Sequence, residues 1–481
     1  MCLHLLFEQP TLRRQPQRTV SMRFIIGLLL ALSLSLTGAS YNLPNLNSAG
    51  QNTLSSVMEE LIGQQFYGYI LSTSPVVEDY FVNQYMDQLG SRLLAASPKP
   101  QQQLTFFVIK DGTVNAFAGP GGYIGLNTGT LMTARTEGEL ASVMAHEMAH
   151  VMQRHIARGI EEAKRDQLLG LGSILAGLAT GGAGIAAAGA SASFERGMRT
   201  SRAFEQEADR VGLQILQRAG FSRKDMANFL AQMNRDERQT PVDDIIENFS
   251  SHPLSSRRYA EAALKSDHDK ASKASLQYQL IQARALADTT DDPKKTAREL
   301  KQKSLNTLPA QYAYALCLLK AREYNDAIGR LKTINAQHPE NSLLEASLAR
   351  AYMKAGQSSK ALALIKETHY YEPENTALTL TYADLLISAK HYKQAAQVLE
   401  SQHEGTSSLA YLDLLAHAQG HGGEKKAAFV TRAKLYAKVG QLAQAIMQLG
   451  RAQSFQKPVG LNLEIKRLKQ DYQQKRSLMA A

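Results

Sequence analysis

The chain has 481 residues, of which 44% are hydrophobic and 20% charged, with 54 lysines and arginines against 44 aspartates and glutamates. That length exceeds one ordinary hydrophobic core and suggests two or three folding units. The composition excludes collagen, coiled coil and wholesale disorder, and the formal charge of +10 comes without the aromatic-interleaved basic patch of a nucleic-acid binder.

The first element is a leader. Met22-Arg23 precedes the apolar run Phe24 to Leu36, and Thr37-Gly38-Ala39 supplies the small residues of a cleavage site. A run of about 13 residues is short of the roughly 20 that a transmembrane helix needs, so residues 1–39 read as a signal peptide rather than an anchor. Residues 1–21 could equally be an over-extended gene start, with Met22 the initiator. Cys2 would leave with this segment, so Cys317 would be the sole mature cysteine. Neither a disulfide nor a thiolate metal site is then expected. The remaining basic charge suits anionic envelope components.

From Thr53 to Ala96 the apolar spacing is helical, with Pro75 dividing two helices. Leu104 to Ile109 and Val114 to Leu126, the latter broken by Gly119-Pro120-Gly121-Gly122, carry strand and turn signals. Helical patterns follow over Glu137 to Arg158, Arg202 to Arg218 and beyond Phe221-Ser222. Between the first two lies Leu168 to Ala192, uncharged and rich in glycine and alanine. It reads as a loop or loose helical hairpin near the active site, with membrane contact as the alternative.

After residue 305 the strand signals stop. Ala327-Ile328, Ala361-Leu362 and Ala395-Ala396 recur every 34 residues, as do Pro339-Glu340-Asn341 and Pro373-Glu374-Asn375. This is the tetratricopeptide period, in which small residues let paired helices approach and stacked units share a core. Cys317 falls on a repeat helix and reads as core packing. The expected architecture is an α+β domain followed by an all-α tetratricopeptide-repeat solenoid. Its boundaries are a leader at 1–39, the α+β domain at 40–270, a helical connector at 271–305, the repeats at 306–455 and a C-terminal helix or tail at 456–481.

The chemistry lies in His146-Glu147-Met148-Ala149-His150, embedded in a helical pattern. At 100° per residue its two histidines point within about 40° of each other, so both can bind one tetrahedral zinc. Glu147, on the adjoining face, can take a proton from water and pass it to a leaving amine. On a continuous helix His155 would lie about 180° from His146, facing away, as a surface or packing residue. A metzincin would need glycine at 153 and histidine at 156, where this chain has Gln153 and Ile156. The third ligand is expected from Glu205-Gln206-Glu207-Ala208-Asp209. Glu205 and Asp209 share a face there, while Glu207 points about 200° from Glu205. Glu205 would bind the metal, and Asp209 would accept a hydrogen bond from a ligand imidazole.

Glu139-Leu140-Ala141-Ser142-Val143-Met144-Ala145-His146-Glu147, the acidic motif and the trailing repeats together resemble the HtpX and CAAX-prenyl-protease-like family of zinc metallopeptidases. The resemblance implies a gluzincin-like α+β peptidase domain binding one Zn2+ per chain through His146, His150 and Glu205, with Glu147 as the catalytic acid/base. It also implies that Asn115, Ala116, Phe117 and Ala118 form an edge strand for extended substrate, an ordinary hairpin being the alternative. Ser251-His252-Pro253 with Arg258 also matches, implying His252 as a fourth, autoinhibitory ligand, against a helper in catalysis or a plain loop. The activity implied is that of a periplasmic endopeptidase with a chaperone-like role in the assembly and quality control of outer-membrane β-barrel proteins. Its partners would be unfolded or stalled outer-membrane proteins and, through the repeats, the barrel-assembly machinery. Peripheral membrane contact at the inner face of the outer membrane stays open, and nucleic acid is not expected. The rival reading is a repeat-based chaperone or scaffold of that machinery with a latent or vestigial protease.

Overall fold

The computed structural model describes residues 55–159, 191–239, 258, 262, 263, 269–401 and 408–480. The leader, His252 and the glycine- and alanine-rich stretch up to residue 190 lie outside these.

Helices α1 (Ser56–Thr73) and α2 (Tyr80–Ala95) open the fold, divided at Pro75 as the sequence predicts. Asp79 caps α2, its carboxylate accepting from the amides of Phe81 and Val82. Three short strands follow: β1 (Thr105–Ile109), β2 (Ala116–Ala118) and β3 (Tyr123–Asn127). Their order is β1-β3-β2, with β1 parallel and β2 antiparallel to β3. A single turn, Pro120–Gly122, joins β2 to β3 and needs Gly121 at φ 71°, a backbone setting that disfavours other residues.

Next come α3 (Thr128–Thr133), α4 (Glu137–Met152), α5 (Ser191–Arg218) and α6 (Arg223–Gln239). The histidine-bearing helix α4 is central, touching α2, α5, α6, β2 and β3. It ends earlier than the sequence predicts. Gln153 caps it, Arg154 adopts φ 53°, and the chain re-enters helix at His155. Neither glycine nor proline marks that break.

Helices α7 (Leu276–Thr289) and α8 (Pro293–Lys303) lead into the repeats. The pairs are α9 (Leu308–Lys320) with α10 (Tyr324–Gln337), α11 (Ser342–Lys354) with α12 (Ser358–Tyr371), and α13 (Thr376–Ser388) with α14 (Tyr392–Glu400). Ala327, Ala361 and Ala395, the periodic alanines, are all fully buried where paired helices meet. Cys317 is buried too, and burial pushes its thiol up to about 11, as fits an inert core residue. The array continues through α15 (Leu409–Gly422), α16 (Lys425–Lys438), α17 (Leu442–Gln453) and α18 (Leu461–Ala480).

The repeats do not hang from the peptidase-like half as a separate arm. One buried apolar cluster runs from Val77 in the first half through Tyr278 and Leu344 to Ala418. At its centre Arg284 of α7 makes two hydrogen bonds to Asp79, at 2.8 and 2.6 Å, and donates to Tyr312 of α9 and Ser347 of α11. Leu61 of α1 packs with Val430, Leu449 and Ile465, and Phe66 shares a cluster with Val439, so the array curves back onto the first helix. No helix among the described residues is long and apolar enough to cross a membrane.

Candidate functional site: a metal centre between two helices

Helix α4 starts where Thr136 accepts a hydrogen bond from the Glu139 amide, while the Glu139 carboxylate turns back to the Arg135 amide at 2.7 Å. These bonds satisfy amides that every helix start leaves unpaired, and they fix the frame in which His146 and His150 project on one side. Helix α5 crosses close by. A Cβ at Gly212 would stand 3.1 Å from both the Cα of His146 and the carbonyl oxygen of Ala145, so the absence of a side chain there permits the approach.

That approach brings Glu205 to the histidines. The Nε2 atoms of His146 and His150 lie 3.1 Å apart, and Glu205 places one oxygen 3.3 Å from the first and the other 3.4 Å from the second. A tetrahedral zinc with bonds of about 2.0–2.1 Å has ligand-to-ligand edges of roughly 3.3–3.4 Å, close to the triangle seen here. All three residues are buried or nearly so. The donor set fits a three-ligand zinc site, and no other group of metal-binding side chains this close occurs among the described residues.

Asp209, one turn beyond Glu205, sits with Oδ1 3.0 Å from His146 Nδ1, where it can accept a hydrogen bond from that ring. Arg258 clamps both acids. Its Nε and Nη2 donate to the two Asp209 oxygens at 2.7 and 2.8 Å, and its Nη1 lies 2.8 Å from Glu205 Oε2. Burial alone would raise the Asp209 carboxyl, but its bonds to His146 and Arg258 hold it well below the usual range. Burial likewise opposes the Arg258 charge, and Asp209 and Glu205 more than offset it. The sequence pattern includes Arg258 but gives it no role. Two acids packed against one imidazole needed a counter-charge, and that was the available signal.

Glu147 is 1% exposed and lines a pocket with His146, Asp209 and Arg258. One wall is Val114, Asn115 and Ala116, and α6 contributes Met226, Phe229, Leu230 and Met233. Only part of the expected substrate segment therefore reaches the site. Asn115 and Ala116 line the pocket, whereas Phe117 turns to the opposite side of the sheet, edge-on to Phe66 and Phe107. β2 is the last strand in the sheet order, as an edge strand would be.

His155 departs from expectation. Because α4 breaks at Arg154, it does not face away: it is 4% exposed, with Nδ1 2.9 Å from the Nδ1 of His150. Its Nε2 lies 3.1 Å from Glu207, which Arg158 also holds at 2.8 Å. Burial lowers the pKa of His155, although Glu207 pulls the other way. Glu207, off the metal face as its spacing predicts, is thus engaged on the neighbouring one.

Three such donors with a carboxylate beside them are the arrangement a metallopeptidase centre requires. Residues 82–265 match the Peptidase family M48 model and residues 318–369 a tetratricopeptide repeat. The chain belongs to the M48 family of metallopeptidases. It is 34% identical over 312 residues to the beta-barrel assembly-enhancing protease of Yersinia pestis, covering 62% of this chain and 64% of that one. It is 30% identical over 345 residues to the protein of the same name from Escherichia coli K12, covering 68% and 70%. A shorter stretch of 160 residues, 31% of this chain and 44% of the other, is 36% identical to the mitochondrial metalloendopeptidase OMA1 of Saccharomyces cerevisiae. The match to the Yersinia pestis relative spans less than two thirds of that protein's length.

Proposed function

We propose that this chain is a zinc-dependent endopeptidase of the periplasm, acting in the assembly and quality control of outer-membrane β-barrel proteins. The observation that carries the peptidase reading is the triangle of His146, His150 and Glu205 with Glu147 beside it, three residues that would hold one zinc ion per chain. When bound there, zinc supplies a Lewis acid that polarises a scissile carbonyl and makes water acidic. Glu147 accepts the proton of the attacking water and delivers it to the leaving amine. Asp209 fixes the His146 ring with its Nε2 lone pair turned inward, and Arg258 holds Asp209 and Glu205 in place. An extended substrate runs past Asn115 and Ala116, with an apolar side chain in the pocket formed by Met226, Phe229, Leu230 and Met233.

The substrate class is supported by the names of the Yersinia pestis and Escherichia coli relatives, and the repeats, stacked helix pairs suited to binding protein, would engage the clients or the assembly machinery. The test is Glu147→Gln in purified protein and in cells. Cleavage of an unfolded substrate should fall by about 10²–10⁴-fold, the usual share of a general base, while elemental analysis still finds one zinc. Turnover at the wild-type level would remove Glu147 from the mechanism. Barrel assembly that stays normal with Glu147→Gln would make the repeats, not the protease, the working part.

A further inference from the structure

The two site histidines are backed differently. His146 Nδ1 meets a carboxylate directly, 3.0 Å from Asp209. Behind His150 stands another imidazole, that of His155.

A hydrogen bond between two imidazole nitrogens needs an N–H on one side and a lone pair on the other. His150 turns its Nε2 toward His146 and Glu205, so a lone pair directed at a metal there leaves its proton on Nδ1. His155 Nδ1 must then accept. Its own proton is consequently on Nε2, aimed at Glu207 Oε2 at 3.1 Å. Arg158 donates to the same oxygen at 2.8 Å, and the His155 ring stacks on Phe204 at 4.4 Å with 9° between the planes. The connection therefore runs from His150 through a neutral ring to a carboxylate pinned by an arginine. Arg154 holds the left-handed turn that makes this possible and reaches Glu59 at 3.1 Å. Such a backbone setting is unfavourable for a residue with a side chain, so the surrounding contacts must hold it there.

We infer that His155 is a positioning residue for His150, setting its tautomer and ring rotation and relaying the charge of Glu207 to its metal-facing nitrogen. This rests on reading His146, His150 and Glu205 as metal ligands.

The experiment is zinc affinity by chelator competition in the full chain, for wild type, His155→Phe and His155→Asn. Phenylalanine keeps the flat ring on Phe204 but offers no acceptor. Asparagine abandons the stacking but presents an amide oxygen near the place of Nδ1. Loss of a residue that orients a metal ligand weakens metal binding by about 10–100-fold, which is expected for His155→Phe, with most of the loss recovered in His155→Asn. The hydrogen-bonded Nδ1 proton of His150, visible by nitrogen-edited NMR in the zinc-loaded protein, should persist in wild type and His155→Asn and vanish in His155→Phe. If His155→Phe binds zinc as tightly as wild type, or His155→Asn is the weaker of the two, His155 merely packs and the inference is overturned. A wild type that takes up no zinc overturns the metal reading first, and this one with it.

Discussion

Helix α4 buries 14 of its 16 residues, among them Glu139, His146, Glu147 and His150. Helix α10, in the repeats, buries four of 14, and all four are apolar. The contrast reflects position. α4 is enclosed by other elements on every side, so each polar group it carries must find a partner inside the protein or cost the price of desolvation. α10 meets its neighbours along one stripe and leaves the rest to water. The peptidase half is thus intolerant of losing a single polar partner, and the repeats are intolerant of changed volume at their small residues.

The junction between the two halves combines both kinds of demand, and breaking it should have the largest effect on stability. Arg284→Met would leave Asp79 without its bidentate partner, and removal of one member of a buried pair costs about 3–5 kcal/mol, read as a fall in chemical-unfolding midpoint. The pair carries its own pH signature. Burial alone would raise the Asp79 carboxyl, yet Arg284 holds it below its ordinary value. A carboxylate depressed in the folded state contributes stability that is complete above its unfolded pKa of about 3.9 and fades as pH falls through the folded value. The stability gap between wild type and Asp79→Asn should accordingly be full at neutral pH and shrink in acid. A gap that widened in acid would contradict this account.

A smaller effect is expected from overfilling the repeats. Ala361→Leu inserts volume where α11 and α12 meet, and such overpacking costs about 1–3 kcal/mol. Zinc content should be unchanged, because no atom of the site moves directly. Metal lost in step with repeat stability would mean that the halves are coupled more tightly than their shared core implies. Smallest of all, Lys295→Ala removes an exposed ion pair with Glu299 at 4.0 Å and should shift stability by less than about 0.5 kcal/mol. It sets the baseline for the other two.

The legibility of the sequence divides along the same line. The repeats announce themselves because one residue type, alanine, meets one requirement, close approach, every 34 positions. The pairs His146 with His150 and Glu205 with Asp209 were legible as candidates because helical geometry turns their spacing into a common face, with Glu147 on the face adjoining the first. His155 was not, since a period of 3.6 carries straight through Gln153-Arg154 and no residue there signals a stop. The Asp79–Arg284 junction joins positions 205 apart, and no local pattern encodes a pairing over that distance. Arg258 lay in between: its presence was visible, and its task became evident only with Asp209 and Glu205 in front of it.

Because Leu61 and Phe66 of the first helix meet Ile465 and Val439 near the other end of the array, the stacked helices form a closed arc. An open solenoid can gain or lose a unit at either end with little harm. Here one more 34-residue pair would push Val439 and Ile465 out of register with α1, and one fewer would fall short of it. The number of repeats is therefore a dimension of the peptidase itself, set by the distance from Arg284 around to Leu61, and length variants should be tolerated in the loops between helices rather than by whole units.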